Sequence, residues 1–366
     1  MDEKIIELLE TELKPCDLDD SEGGTTVGLP ANYADTEETR FLITPEACGM
    51  LTSSGLKLVM EAGAGVDISF SDAAYAEYGV TITTRDEALK CDIVLSFAPI
   101  NADDVAKMKR GATLLCMMGD ELFKADTVKA LLDNHITLGC LDNMYSLNNE
   151  PVFADIINEI DGRAAIMYAQ DHLSFLGGGK GVLLAGVAGI NPCEVLLIGR
   201  GTQIHAAASA ALAAGAIVTL INNDVSDLAY AKRICGPNLI TLAVHPRVLY
   251  NKAKTADVLI IGETTRPFEF PNKLTRVMKD TAFMLNFNNS HPSVSVPRTV
   301  AMALSNVLIN FMQEMIVKNG FEGMLLSTDG VQNGIVTYRG CLCDKLIGSF
   351  LSLPSVDIKM MLAAKN

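Results

Sequence analysis

Short apolar runs alternate with helix-patterned stretches along most of this chain. T-V-G-L at 26–29, K-L-V-M-E at 57–61, I-V-L-S-F at 93–97, T-L-L-C-M at 113–117 and T-L-G-C-L at 137–141 have the apolar character of strands covered on both faces. Helical candidates lie between them at 45–54, 102–109 and 125–133, the first marked by Thr44 as an N-cap and Pro45 at the first helical position. A second series begins with E-V-L-L-I-G at 194–199, runs through an Ala-rich helix from about 203 to 214, and adds strands at 217–222, 257–261 and 282–287. A long helix over 300–318 and a C-terminal helix near 341–352 close the chain, and Ile5, Ile6, Leu9 and Leu13 give residues 2–13 one apolar face as a short leading helix. Alternation of this kind predicts an α/β fold: two doubly wound, Rossmann-like domains with mostly parallel sheets, separated by a cleft. The expected boundaries are 1–24 for the leading helix and a polar linker, 25–157 plus 299–366 for one domain, and 158–298 for the other.

Length supports two domains, since 366 residues exceed one ordinary core. A net charge of −15 disfavours binding to nucleic acid or to anionic membrane surfaces. The acidic, amphipathic start excludes a secretory signal, and no uninterrupted apolar run reaches the roughly 18 residues of a membrane span. Nine scattered cysteines without a framework of short spacings read as reduced thiols, and Cys341 with Cys343, lacking a second pair, does not make a zinc site. A cytoplasmic protein with no metal is the expectation.

The strongest chemical signal is E-V-L-L-I-G-R-G-T-Q-I-H-A-A-A, in which a strand enters a glycine turn and a helix follows at once. Gly199 permits the tight turn, and Gly201 lets the backbone approach a pyrophosphate lying on the helix N-terminus. Gly199, Gly201, Thr202, Gln203 and Asn222 are therefore the cofactor-binding candidates. Two positions depart from the fingerprint. Ile204 replaces the third glycine, and Asn222 stands about 20 residues on, where an acid usually holds the adenosine ribose diol. Arg200 offers a cation to a ribose phosphate, so NAD and NADP both remain open. Lys180, in G-G-K-G, does not satisfy the P-loop pattern; its glycines read as an interdomain crossing and the lysine as solvated.

At these residues the chain resembles the alanine dehydrogenase and pyridine nucleotide transhydrogenase family. The likeness is carried by V-G-L-P at 27–30, T-R-F-L-I-T-P-E at 39–46, E-A-G-A-G-V-D-I-S-F-S-D-A-A-Y at 61–75, E-I-D-G-R at 159–163, G-G-K-G-V-L-L-A-G-V-A-G-I at 178–190, V-P-R-T at 296–299 and A-L-S-N at 303–306. The resemblance implies NAD-dependent interconversion of L-alanine and pyruvate, a small carboxylate as substrate, and assembly as a homo-oligomer, commonly a hexamer. By that resemblance Arg40 is the substrate-binding arginine, a role suited to a bidentate guanidinium. The family's lysine is absent, with Ala98 nearest its place; its histidine is replaced by Gly119 or Asp120, and its aspartate falls near Asn288 or Asn289. His291 lies where the family has a nicotinamide-side asparagine, and histidine titrates nearest neutral pH. The catalytic candidates are thus His291, Asp120 and Asn289, although a histidine before a proline also reads as a plain loop residue. Two functions stay open: an NAD(P)-dependent oxidoreductase of a small 2-amino or 2-oxo acid, and a catalytically inactive relative that binds a nucleotide or carboxylate metabolite or regulates a paralogue.

Overall fold

The computed structural model describes residues 24–146, 150–264 and 270–363; the leading helix expected over 2–13 lies outside them. Among the described residues the strands are β1 (Thr26–Leu29), β2 (Lys57–Glu61), β3 (Thr81–Thr83), β4 (Ile93–Leu95), β5 (Thr113–Cys116), β6 (Thr137–Cys140), β7 (Glu194–Ile198), β8 (Ile217–Ile221), β9 (Ile240–Leu242), β10 (Val258–Ile261), β11 (Phe283–Asn286), β12 (Ile335–Tyr338) and β13 (Cys341–Leu342). The chain forms two units, Met1–Ala154 with Pro297–Asn366, and Asp155–Val296.

The first unit holds a sheet in the order β13-β12-β6-β5-β4-β1-β2-β3. Strands β1 to β6 are parallel, and their order about β1 is the doubly wound one, reversing direction between β1 and β4. Their apolar runs are buried because helices cover the sheet, which explains the absence of alternation in T-L-L-C and T-L-G-C. Two antiparallel strands extend the edge beyond β6. The register slips between Ile335 and Thr337, and the Thr337 hydroxyl repairs the ladder, donating to the Ile136 carbonyl at 2.8 Å and accepting from the Leu138 N–H at 3.3 Å.

This hairpin corrects the expected helix from 341. Arg339 and Gly340 take φ of 49° and 79°, a two-residue turn that sends Cys341–Leu342 back as a strand. The helix starts only at Lys345, capped by Asp344, whose carboxylate accepts the Ile347 N–H at 2.8 Å. Thr44 caps the helix Pro45–Ser53 as its sequence implies. Helix Pro297–Val317 is long and apolar enough to cross a membrane by length and composition alone. Val300, Ala301, Leu304, Leu308, Met312 and Met315 are buried within the unit, the pattern of a core helix.

The second unit holds a five-stranded parallel sheet in the order β11-β10-β7-β8-β9. β7 is its first strand, and the direction of winding reverses between β7 and β10, so the turn leaving β7 stands at the switch point where such sheets take ligands. G-G-G-K-G at 177–181 falls inside this unit and is no interdomain crossing. It follows the helix Val152–Leu173, and the Gly181 N–H donates to the Leu173 carbonyl at 3.0 Å. Lys180 is exposed, as its sequence context implies, and its Nζ also pairs at 2.7 Å with the buried Asp257 carboxylate, which Lys279 meets at 2.9 Å.

Candidate functional site

In the second unit, β7 runs into Gly199 at φ 135° and Gly201 at φ 83°, and the helix Thr202–Ala213 begins there. A Cβ at Gly199 would stand 2.8 Å from the Glu263 carbonyl oxygen, so this position needs both the backbone freedom and the missing side chain. A Cβ at Gly201 would meet nothing within 4 Å: the face of the turn is open. No side chain caps the helix that follows. By contrast, Thr44, Ser71, Asn101 and Asp224 each cap the helix that they precede. An uncapped first turn of amides on an open face is an anion cradle.

Ile204 does not plug that cradle. It is fully buried in the unit's core, and a Cβ built on Gly262, just after β10, would lie 2.6 Å from its Cγ1. Glycine for close helix-to-strand packing is thus supplied by Gly262 on the neighbouring strand. Gly162 does the same between helices, since a Cβ there would sit 2.2 Å from the Gln203 carbonyl oxygen.

Thr202, Gln203 and His291 each lie against a carboxylate of this unit. The Thr202 hydroxyl donates to Asp155 at 3.0 Å, and Gln203 Nε2 donates to Asp161 Oδ2 at 3.3 Å. Asp161, 1% exposed, accepts the Ser293 N–H at 2.8 Å and lies 3.9 Å from His291 Nδ1. Burial pushes the Asp161 carboxyl up, but His291 and the Ser293 N–H outweigh it and hold the group below the usual carboxylate range. His291 itself is exposed, with the buried Asp161 carboxylate behind it. Asn289 is exposed in the same loop after β11, its N–H donating to the Asn286 carbonyl at 3.2 Å.

Asn222 departs from the expectation. It is buried, its Nδ2 donates to Asp227 Oδ2 at 3.0 Å, and its Oδ1 accepts the Asp224 N–H at 3.1 Å. Its amide is therefore committed to the loop that opens the next helix rather than presented to a ribose. Asp224 caps that helix, Val225–Cys235. Arg200 is held by Glu263 at 2.7 Å, with Asp224 at 4.0 Å, so the cation proposed for a ribose phosphate already has carboxylate partners.

In the first unit, Arg40 is buried above the Phe97 ring, with 4.3 Å from the guanidinium carbon to the ring centroid. Its Nε and Nη2 grip the two Glu38 oxygens at 2.8 and 2.6 Å, the fork geometry that a bound carboxylate would also adopt. Asp120 stands exposed at the start of the single-turn helix Asp120–Phe123. Sequence reasoning missed Asp142, which follows β6 and accepts the Met118 N–H at 3.0 Å; burial pushes its carboxyl up. It also missed Arg85, which bridges Asp104 at 2.7 Å and Glu61 at 2.8 Å, with the Tyr33 hydroxyl on Asp104 at 2.6 Å. Burial and the Asp104 hydrogen bond push Tyr33 up to about 12. No group of three or more His, Cys, Asp or Glu among the described residues has the arrangement of a metal site.

Comparison with known proteins bears on both units. The Alanine dehydrogenase/PNT N-terminal domain matches residues 28–154, and the Alanine dehydrogenase/PNT C-terminal domain matches residues 165–281. The chain is 25% identical over 378 residues to an alanine dehydrogenase of Mycobacterium tuberculosis, covering 92% of this chain and 100% of that one. It is 24% identical over 358 residues to the alanine dehydrogenase of Bacillus subtilis, covering 87% and 94%. Among solved structures, an L-alanine dehydrogenase superposes with a TM-score of 0.80 at 20% identity, over 90% of this chain and 99% of that one. A transhydrogenase from Sinorhizobium meliloti gives 0.70 at 17% identity, over 88% and 99%.

Proposed function

This chain belongs to the alanine dehydrogenase/PNT family, and we propose that it is a nicotinamide-dinucleotide-dependent oxidoreductase of a small 2-amino or 2-oxo acid. The observation that carries the reading is the uncapped helix at Thr202, opened by two positive-φ glycines on an unobstructed face. An uncapped helix end is stable where a ligand supplies the missing acceptors, and a diphosphate does so with full charge. The fit of the turn to a dinucleotide is steric as well, since Ile204 is withdrawn into the core.

When bound, the nicotinamide supplies the hydride chemistry; the chain's residues hold, orient and move protons. Amides of the first helical turn take the diphosphate, with Thr202 and Gln203 braced by Asp155 and Asp161. Oxidation of an amino acid to an oxo acid, with water replacing ammonia, requires a group that takes and returns protons. His291 fills that role, oriented by Asp161. Arg40 takes the substrate carboxylate in exchange for Glu38. Ala98 and Gly119 in place of the lysine and histidine of the resemblance argue against L-alanine as an efficient substrate. They favour the second reading, a relative that binds a dinucleotide or a carboxylate without turnover.

Purified protein assayed with NAD and NADP against a panel of amino and oxo acids, followed at the reduced-nicotinamide absorbance, separates the two. Turnover on any panel member supports the oxidoreductase, and His291→Asn is then expected to lower kcat by about 10²–10⁴-fold with dinucleotide affinity unchanged. Dinucleotide binding without turnover leaves the second reading. Absence of binding by both cofactors sinks the proposal.

A further inference from the structure

Asn222 stands where a dinucleotide fold usually has an acid, and a carboxylate from the next helix, Asp227, lies hydrogen-bonded beside it. Asp227 lies in the first turn of the helix Val225–Cys235. Its side chain reaches back so that Oδ1 is 3.4 Å from the Gly201 N–H and Oδ2 accepts Asn222 Nδ2 at 3.0 Å. His205 stands behind it, 7% exposed, with Nε2 3.1 Å from Oδ1 but not aligned for a hydrogen bond, and no other partner meets this buried nitrogen. Two hydrogen bonds, from the Gly201 N–H on the turn and from Asn222 Nδ2 just after β8, therefore hold one carboxylate beside the anion cradle, with His205 packed behind it. The Asp227 side chain keeps 15% of its surface exposed.

We infer that Asp227 is the ribose-diol acceptor of this chain, and that it makes the second unit selective for a dinucleotide with a free 2′-hydroxyl over one carrying a 2′-phosphate. The inference rests on the proposal that the turn binds a dinucleotide. Asn222 converts from a ligand contact to a positioning residue, since its amide donates to Asp227 and accepts from the Asp224 N–H. Asp227 is not a block on the diphosphate. On the glycine turn it meets the Gly201 N–H, at a long 3.4 Å, and the helix that follows has no side-chain cap.

Selectivity follows from charge. A 2′-phosphate brings about −2 next to a carboxylate, and like charges in contact repel. Arg200, the cation on the turn, is bracketed by Glu263 and Asp224 and offers no net positive field. A diol, by contrast, donates two hydrogen bonds to an anion, the stronger kind of pairing.

The test uses the full chain and measures dissociation constants for NADH and NADPH by nicotinamide fluorescence, for the wild type and for Asp227→Asn. ADP-ribose and its 2′-phosphorylated form serve as competitors, a comparison that needs no variant. NADH binding at least about 30-fold tighter than NADPH, falling to within about threefold in Asp227→Asn, supports the inference. Equal wild-type affinities overturn it and leave the dinucleotide reading intact, as does a gain in NADH affinity in Asp227→Asn, which would make the side chain a block. Failure of the wild type to bind any of the four ligands overturns both.

Discussion

The candidate sites of the two units are built from different parts, backbone in one and paired side chains in the other, and the contrast bears on what each can do. Around the turn after β7, the special positions are steric: two positive-φ glycines, a buried Ile204 accommodated by Gly262, and a helix without a side-chain cap. Nothing there closes the anion cradle. At the strand ends of the first unit the chemistry is electrostatic and already satisfied from within, with Arg40 forked onto Glu38 and Arg85 bridging Asp104 and Glu61. A cradle made of backbone survives many substitutions, because any residue supplies an amide. A reaction centre made of side chains is lost one residue at a time. Binding is therefore the more durable property of this scaffold, and catalysis the one open to redirection.

The largest effect should come from damaging the backbone of the turn. In Gly199→Val the new side chain faces the Glu263 carbonyl oxygen at 2.8 Å while φ stays at 135°. Strain of this kind costs about 1–3 kcal/mol before the clash is counted. We expect NADH affinity to fall by more than about 100-fold, with carboxylate binding by the first unit retained. Parallel titrations with NADH and pyruvate check both halves; loss of both, or of neither, would dissolve the contrast between the units.

A smaller and opposite effect is expected at Arg40. Replacing Glu38 with Gln removes the negative charge beside a buried guanidinium, which lowers stability by about 1–3 kcal/mol and weakens the internal competitor of an incoming anion. Pyruvate affinity should then rise about fivefold to tenfold, and saturating pyruvate should restore part of the lost Tm. Arg40→Ala should abolish that binding. Calorimetry showing the same pyruvate affinity in all three proteins would remove Arg40 from the site.

How much of this was legible follows the same division. Strands covered on both faces announce themselves by unbroken apolar runs, so the central strands of both sheets could be read from I-V-L, T-L-L-C, E-V-L-L-I and V-L-I-I. The edge strands T-I-T and I-T-L were missed because three partly exposed residues carry no period. The hairpin at 339–340 was missed because Arg-Gly is a weak signal for a turn that requires positive φ at both positions. Gly199 and Gly201 were legible since their spacing is local. Asp227 and Asp161 were not, because their roles depend on partners brought up from other elements: His205 and Asn222 for one, Ser293 and His291 for the other. The partner of Lys180 was not legible for the same reason, Asp257 being 77 residues away.

The finest difference between the units lies in two buried carboxylates, and it has a sign. Asp142 in the first unit is pushed up by burial, which its single hydrogen bond from Met118 and the neighbouring backbone only partly offsets. Asp161 in the second is also penalised by burial, yet His291 and Ser293 bring it below the ordinary range. A raised carboxyl contributes stability that is fully present below its unfolded value, 3.8, and is lost as pH rises through the folded one. A depressed carboxyl contributes stability present above 3.8 and lost as pH falls through its folded value. Asp142→Asn should therefore be more stable than wild type at neutral pH, with the gain vanishing as pH falls below 3.8. Asp161→Asn should be less stable at neutral pH, its deficit shrinking only as pH falls below 3.8. Denaturant unfolding of both variants across pH 3–8 reads the two curves. If they bend the same way, the internal electrostatics of the two units do not differ as their hydrogen bonds say they do.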